Sequence, residues 1–513
     1  MKKQLAALAV FLCASVSGFA QSKIFKEVND QIRSQVQPIR QDHSVVGYLA
    51  LTQLEKASED SFNYRITIMD ENLNDIGKVE FRERNLDLQA VSFEQDVICL
   101  GYFRNIFGKK FKSKKEFEAL KRTAVNDVFL QFLTLDGKIL KSQSLRTEVA
   151  LEMPYNWDNG VMVRLTRPIQ LSNLPGNGFA CYFQDDADGK LIVLDTKGNS
   201  LWRKETAGKN ENDYVLGSGD GLYMVSHKED AGQGGWEIKG YALTDGADYE
   251  KLSLKDAKGN ALALTGWGTN PATGKPFLSG LVLNPKRKGV MLMKDVTKGP
   301  YLGVFTLDLN GSTRKDVKET YSYWSDKSQS GFSTKGRIEE TRLYPYLDHS
   351  FKDLTGKTVF VGTSIKRKPR IGTIITGVVL SPLILATPVL WMGMGLTKCS
   401  VSDHAMISQD DKGQLRILQS IPNTADRNAF SREAAATTTL HRITGSDAKS
   451  EYLVMDEDKD VVIYSMTKNK VVRTIPHKDG NLVKGVIPAK EGHIMILEYN
   501  KKERYTKVSI EQI

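Results

Sequence analysis

The 513-residue sequence predicts an all-β chain, and three observations predict it. Short runs of β-branched and aromatic residues lead repeatedly into an Asp- or Gly-containing turn and then another short run, the pattern of antiparallel hairpins. These units return at intervals of roughly 45 to 65 residues, which favours radial blades whose sheets shield their edges against one another. The chain is also long enough to bury a large core without disulfide staples, with hydrophobic residues at 40% and four cysteines in all.

The elements follow in order. Met1-Lys2-Lys3 gives a positive start, Leu5 to Val16 an apolar stretch, and Gly18-Phe19-Ala20 a small-x-small site before Gln21. Together they predict a signal peptide over residues 1–20 and export of the chain. Cys13 lacks the small residues that precede a lipidated cysteine, so ordinary cleavage ahead of Gln21 is expected. Loss of Lys2 and Lys3 lowers the formal net charge from +10 to +8, leaving a basic protein. Cys99, Cys181 and Cys399 then remain; at most one internal disulfide is available, and buried thiols are expected. Ile24, Val28, Ile32, Val36 and Ile39 recur at spacings of three and four, which predicts a short helix or linker over residues 21–40.

From residue 41 to residue 513 the period is that of strands. Tyr64 to Asp70 leads into Gly77 to Phe81, and Val128 to Asp136 turns at Gly137 into Lys138-Ile139-Leu140. Val304 to Gly311 and Val461 to Ile475 repeat the cue. In Leu191-Ile-Val-Leu-Asp195-Thr-Lys-Gly198-Asn-Ser-Leu-Trp202 the third-strand pattern apolar-x-Asp-x-x-Gly-x-x-x-Trp resembles a quinoprotein-type or outer-membrane-assembly propeller repeat. By these residues the chain resembles exported bacterial β-propellers, and the resemblance implies a β-propeller-like fold of about six to eight blades. A pair of stacked β-sandwiches is the alternative. The resemblance supplies no cofactor-binding or catalytic residue.

One stretch interrupts the pattern. From Ile371 through Thr397 no residue is charged, and within it stand Ile374, Ile375, Val378, Val379, Leu380, Leu383, Ile384, Leu385, Leu390, Trp391 and Met392, with Val389 the twelfth large apolar side chain. At ~1.5–3 kcal/mol each, leaving them in water forgoes roughly 20–35 kcal/mol, more than a typical domain's net stability, so lipid, a partner or a dedicated core must cover them. A single transmembrane span is long enough. It would, however, place Lys366-Arg367-Lys368-Pro369-Arg370 on the exported side, against the usual bias. Pro382 and Pro388 also divide the segment near its middle. A projecting hairpin between two strands of one sheet, with the insertion over residues 371–398 contacting a membrane or a partner, is the expectation; packing on the protein's own surface is the other alternative.

A second stretch, Lys109-Lys110-Phe111-Lys112-Ser113-Lys114-Lys115, reads as a solvated basic surface followed by a short helix. Its functional reading is attraction to an anionic surface. Nucleic acid is not expected, because the chain reads as exported and no recognition motif accompanies the charge.

Catalytic and metal signals fail on spacing. Gly268 to Lys275 has five residues between its glycines where a phosphate loop needs four, and Pro276 stands where that loop has Ser or Thr, so a turn is expected. The seven histidines, His43, His227, His349, His404, His441, His477 and His493, show no metalloprotease spacing. Asp456-Glu457-Asp458-Lys459-Asp460 alternates acids as a calcium loop does but has Val461 in place of the turn glycine. Asp195 and Gly198 are one residue too far apart for a sialidase-type aspartate box. No catalytic residue, metal or cofactor is expected. The chain reads as an exported, non-catalytic binding or scaffold protein at an envelope surface, with a membrane surface or envelope protein as partner and a glycan as a further candidate. The rival is a polysaccharide hydrolase or lyase with carboxylates meeting at the centre of the ring.

Overall fold

The computed structural model describes residues 21–26, 34–41, 44–58, 61–105, 115, 127–146, 151–152, 164–165, 169–184, 188–206, 210–218, 221–228, 234–287, 290, 293–311, 313–329, 331–369, 397–418, 420–421, 439–457, 459–500, 502–503 and 505–513. After β1 (Gln21–Lys26), the chain builds antiparallel sheets one after another. Blade one is β2 (Ser34–Gln41), β3 (Ser44–Lys56), β4 (Phe62–Asp70) and β5 (Asp75–Glu83). Blade two is β6 (Asn85–Glu94), β7 (Val97–Asn105), β8 (Asp127–Thr134) and β9 (Ile139–Arg146). The two-residue strands β10 (Leu151–Glu152) and β11 (Arg164–Leu165) pair with each other before blade three, which is β12 (Gln170–Leu174), β13 (Gly178–Gln184), β14 (Gly189–Leu194) and β15 (Ser200–Thr206). Blade four is β16 (Asn210–Gly217), β17 (Leu222–Lys228), β18 (Trp236–Tyr241) and β19 (Leu252–Ser253). Blade five is β20 (Leu262–Thr269), β21 (Pro276–Leu283), β22 (Tyr301–Leu309) and β23 (Val317–Tyr323), with the single-turn α1 (Met293–Val296) between its middle strands. Blade six is β24 (Tyr344–Lys352), β25 (Thr358–Pro369), β26 (Thr397–Gln409) and β27 (Leu415–Ile417). Blade seven is β28 (Thr439–Thr444), β29 (Glu451–Asp456), β30 (Asp460–Ser465) and β31 (Lys470–Pro476). Blade eight joins β32 (Lys478–Asp479), β33 (Leu482–Pro488), β34 (His493–Asn500) and β35 (Tyr505–Gln512) to β1. The fold is an eight-bladed β-propeller.

The first strands of successive blades pack side by side around the centre: β2 against β6, β6 against β12, β12 against β16, and β20 against β24. Middle strands lie between two neighbouring sheets, so they are apolar on both faces, as in Val128–Leu133 of β8 and Phe179–Phe183 of β13. Outer strands meet solvent on one side and alternate, as β5 does. Large side chains fill the seams between blades. Tyr64, Tyr102 and Phe129 lie between blades one and two, Phe132 and Phe179 between two and three, and Trp202 and Tyr241 between three and four. Each such side chain stabilises the ring by about 1.5–3 kcal/mol. Polar side chains tie the inner strands together: Gln35 donates to Asp87 at 3.1 Å and accepts from the Leu88 amide at 3.2 Å, while Gln170 accepts from the Val215 amide at 3.1 Å.

Among the described residues of 21–40 the expected helix is not there, and Val28 and Ile32 lie outside those residues. Gln21–Lys26 and Ser34–Gln41 are strands. The apolar spacing of three and four runs across two elements that serve different blades: Ile24 is 54% exposed on β1, whereas Ile39 is buried on β2. The open edge of β35 decides the conformation, because β1 pairs with it antiparallel from Gln21↔Ile510 to Lys26↔Tyr505 and so supplies blade eight's outermost strand. Cys99 and Cys181 are buried free thiols, as expected, and Cys399 is half-buried.

Candidate functional site

In a four-stranded antiparallel blade the turns after the first and third strands emerge at one end, and those after the second and fourth at the other. The ring therefore has a turn face and a connection face. Several turn-face loops share one device, an aspartate whose carboxylate accepts backbone amides two and four residues on. Asp70 accepts from the Asn72 and Asn74 amides at 2.8 Å each, Asp353 from Thr355 and Lys357 at 2.9 Å each, and Asp410 from Lys412 at 2.9 Å and Gln414 at 2.8 Å. The third residue after the aspartate turns left-handed. It is Gly198 at φ +78° after Asp195 and Gly413 at φ +77° after Asp410, but Leu73 at φ +64° after Asp70. The Asp-x-x-Gly cue of the sequence is thus a turn cap. Trp202, at the end of the same unit, crosses to blade four and donates its indole N–H to the Leu243 carbonyl at 2.8 Å. Gly268 to Lys275 is also a turn, closed by the Asn270 amide on the Lys275 carbonyl at 2.8 Å.

The connection face carries the long links. The basic stretch lies between β7 and β8 of blade two and the apolar insertion between β25 and β26 of blade six, so both leave the ring on this face, four blades apart. Lys109, Lys110, Lys112 and Lys114 lie outside the described residues, whereas Lys115 is described and exposed. At the root of that stretch Arg104 donates to the fully buried Asp127 carboxylate at 2.7 Å, reaches Glu83 at 3.2 Å and stands over the Phe129 ring at 5.0 Å. The Asp127 hydrogen bond holds the Arg104 pKa above its ordinary value against burial.

Ile374, Ile375, Val378, Val379, Leu380, Leu383, Ile384, Leu385, Leu390, Trp391 and Met392 lie outside the described residues, as do residues 1–20, where a signal peptide is expected. The strands that carry the insertion are described. β25 and β26 pair from Thr358↔Gln409 to Pro369↔Thr397, so the chain enters and leaves the insertion at neighbouring positions of one ladder. A single crossing with its flanks on opposite sides of a membrane does not fit that pairing. Among the described residues no helix is long and apolar enough to cross a membrane. The neck is braced from blade five: Val290, Val296 of α1, Trp324, Phe332 and Ile338 form one core with Ile365 and Val401.

A polar cluster that spacing had not revealed sits at the blade six, seven and eight junction. His404 of β26 meets Glu457 at 2.9 Å, with the side chains 2% and 3% exposed. His477 directs Nδ1 at the Lys484 carbonyl, 3.1 Å away, and Nε2 at the Glu457 carbonyl, 2.7 Å, and the Asp456 carboxylate, 2.8 Å. Both ring nitrogens face acceptors, so the ring that satisfies them carries both protons. Burial opposes the charge, but the two carbonyls and the Asp456 carboxylate outweigh it and the His477 pKa is raised. Nearby His441 moves the other way, lowered by burial and by Arg40. Two acids of the stretch read against a calcium loop are thus engaged by histidines: Glu457 by His404 and Asp456 by His477. Among the described residues no group of three or more His, Cys, Asp or Glu is arranged to hold a metal ion. Adjacent acids at 456 and 457 were the visible part of this cluster; their partners are remote in sequence.

Among known proteins, no curated protein matches this chain. Solved structures with a similar course of the chain include the Dos1 propeller, at TM-score 0.44 and 10% identity over 96% of this chain and 95% of that one. The WD40 domain of SCAP from fission yeast aligns at TM-score 0.40 and 10% identity, over 93% and 98%. Hydrazine synthase of Kuenenia stuttgartiensis aligns at TM-score 0.37 and 10% identity, over 83% and 96%. No site residue is carried over from any of them. Residues 1–113 match a family described as a family of unknown function, DUF6770.

Proposed function

We propose that this protein is an exported, non-catalytic binding or scaffold propeller that attaches to an envelope surface through its connection face, the apolar insertion entering a membrane or a partner's groove. The pairing of Pro369 with Thr397 carries the reading, because it brings both ends of an uncharged 27-residue stretch together at one edge of the ring. Such a stretch needs an apolar cover, and a hairpin mounted on a braced neck presents it away from the blades. The basic stretch on the same face adds attraction to an anionic surface.

Replacing residues 371–396 with a Gly-Asn-Gly turn tests the reading. Loop-closure entropy changes slowly with length, so stability is expected to change by no more than about 2 kcal/mol while envelope or liposome co-sedimentation is lost. A still-folded variant that associates as before sinks the proposal. Loss of folding instead assigns the segment to the protein's own core. For export, intact mass of the secreted protein is expected to begin at Gln21, and retention of residues 1–20 overturns that part.

A further inference from the structure

Resting on the attachment reading above, we infer that the neck of the insertion is a cationic collar for the phosphate headgroups of an anionic lipid bilayer. The last rungs of the β25–β26 ladder are Ile365↔Val401, Lys366↔Ser400, Arg367↔Cys399, Lys368↔Lys398 and Pro369↔Thr397. These ten positions hold four cations and no carboxylate, and the uncharged stretch begins two residues beyond Pro369. By strand alternation positions 366, 368 and 398 fall on one face of the ribbon and 367 on the other. Lys366 is exposed.

Like charges directly opposite one another destabilise a ladder, and Lys368 stands directly opposite Lys398. On other strands opposite charges are paired, as Arg65 with Glu80 at 2.8 Å, Lys204 with Asp248 at 3.2 Å and Lys484 with Glu498 at 3.5 Å. A neck of this composition calls for external anions. Its position answers which ones: cations flanking an apolar segment lie at headgroup depth when that segment enters hydrocarbon, and basic residues there favour anionic over zwitterionic lipid by roughly fivefold each. Free phosphate supplies no apolar depth, and a protein groove would need an apolar floor with an acidic rim, whereas an anionic bilayer presents both at every point of its surface.

The mature full-length protein is tested by co-sedimentation with vesicles of phosphatidylcholine alone and of phosphatidylcholine with phosphatidylglycerol. Binding to the anionic vesicles is expected to be at least about thirtyfold tighter, to weaken as salt rises, and to fall to the zwitterionic level in Lys366→Gln/Arg367→Gln/Lys368→Gln/Lys398→Gln. Equal binding to both vesicles, or a preference that survives in the quadruple variant, overturns the collar while leaving attachment intact. Binding to neither overturns collar and lipid attachment together. Suppression of the preference by inorganic phosphate beyond the effect of equal ionic strength assigns the cations to a free anion and overturns the headgroup. Should the quadruple variant not fold, Lys368→Gln alone decides: relief of the like-charged rung is expected to raise Tm at low salt, and a lower Tm means that Lys368 already has an internal partner and the collar is wrong.

Discussion

The two faces of the ring are built on different terms. On the turn face one solution recurs in blades one, three and six, an aspartate cap with a left-handed third residue, and lysines of one outer strand reach the next blade's turn, as Lys141 reaches the Gly198 carbonyl at 2.8 Å and Lys204 reaches Asp248 at 3.2 Å. On the connection face the links differ at every blade, from the single residue Arg84 between β5 and β6 to the segments around the basic stretch and the apolar insertion. Repetition marks the side that holds the blades in register, and variation marks the side free to acquire binding chemistry.

The largest expected effect falls on neither face but on the clasp that lets both exist. Deleting residues 21–26 leaves β35 as an open edge and removes Phe25 from the core shared by blades eight and one. Tm is expected to fall by roughly 10 °C or more with concentration-dependent association. Unchanged scanning calorimetry would show that the ring closes without β1. Next comes the root of the basic stretch: Asp127→Ala strips Arg104 of a fully buried partner and is expected to cost about 3 kcal/mol in urea unfolding. A value near zero would mean that Glu83 suffices.

Smaller effects separate the faces directly. Asp195→Ala is expected to cost about 1 kcal/mol, since the carboxylate accepts from the Asn199 amide at 2.7 Å and its side chain at 3.0 Å. Opposite pH edges should accompany this contrast. Although partial burial opposes it, hydrogen bonds from turn amides hold Asp70 and Asp195 below the usual 3.8, and those of Ser450 hold Asp447 at about 2. Their contribution is complete above the unfolded value and disappears as pH falls through the folded values, so turn-face stability is lost in acid. His477 has the reverse sign: its pKa is raised above 6.5, so its contribution is complete below 6.5 and is lost as pH rises through the folded value. His477→Gln is expected to flatten the pH dependence of Tm just above 6.5, by less than about 1 kcal/mol because the side chain is partly solvated, and to leave the acid edge in place. A variant with the wild-type profile would release His477 from that role.

Legibility followed sequence distance. The turn caps were visible because Asp195, Gly198 and Asn199 are neighbours in the chain, and the strand class was visible because buried middle strands are apolar on both faces. Equal spacing was the weaker guide: the first strands of the blades begin at residues 34, 85, 170, 210, 262, 344, 439 and 482, and the long connections stretch the period where function would reside. The 21–40 helix failed because the partner that makes β1 a strand is at the other end of the chain. His404 and Glu457 are 53 residues apart, and nothing local in either signals the other. The insertion's apolar character was plain from composition, and the adjacency of its ends, expected from the prolines that divide it and the charges before it, is seen in the β25–β26 ladder.

Blade eight also sets a clock. β1 is synthesised long before its partners at 505–510. Until they arrive, the strand Gln21–Lys26 must stay unpaired while seven sheets assemble beside it, and the final ladder has nearly the largest contact order this chain allows. Loop closure on that scale makes the last step slow relative to hairpin formation. A nearly finished, unclasped ring is therefore the species in which chaperone demand and strand exchange between copies concentrate.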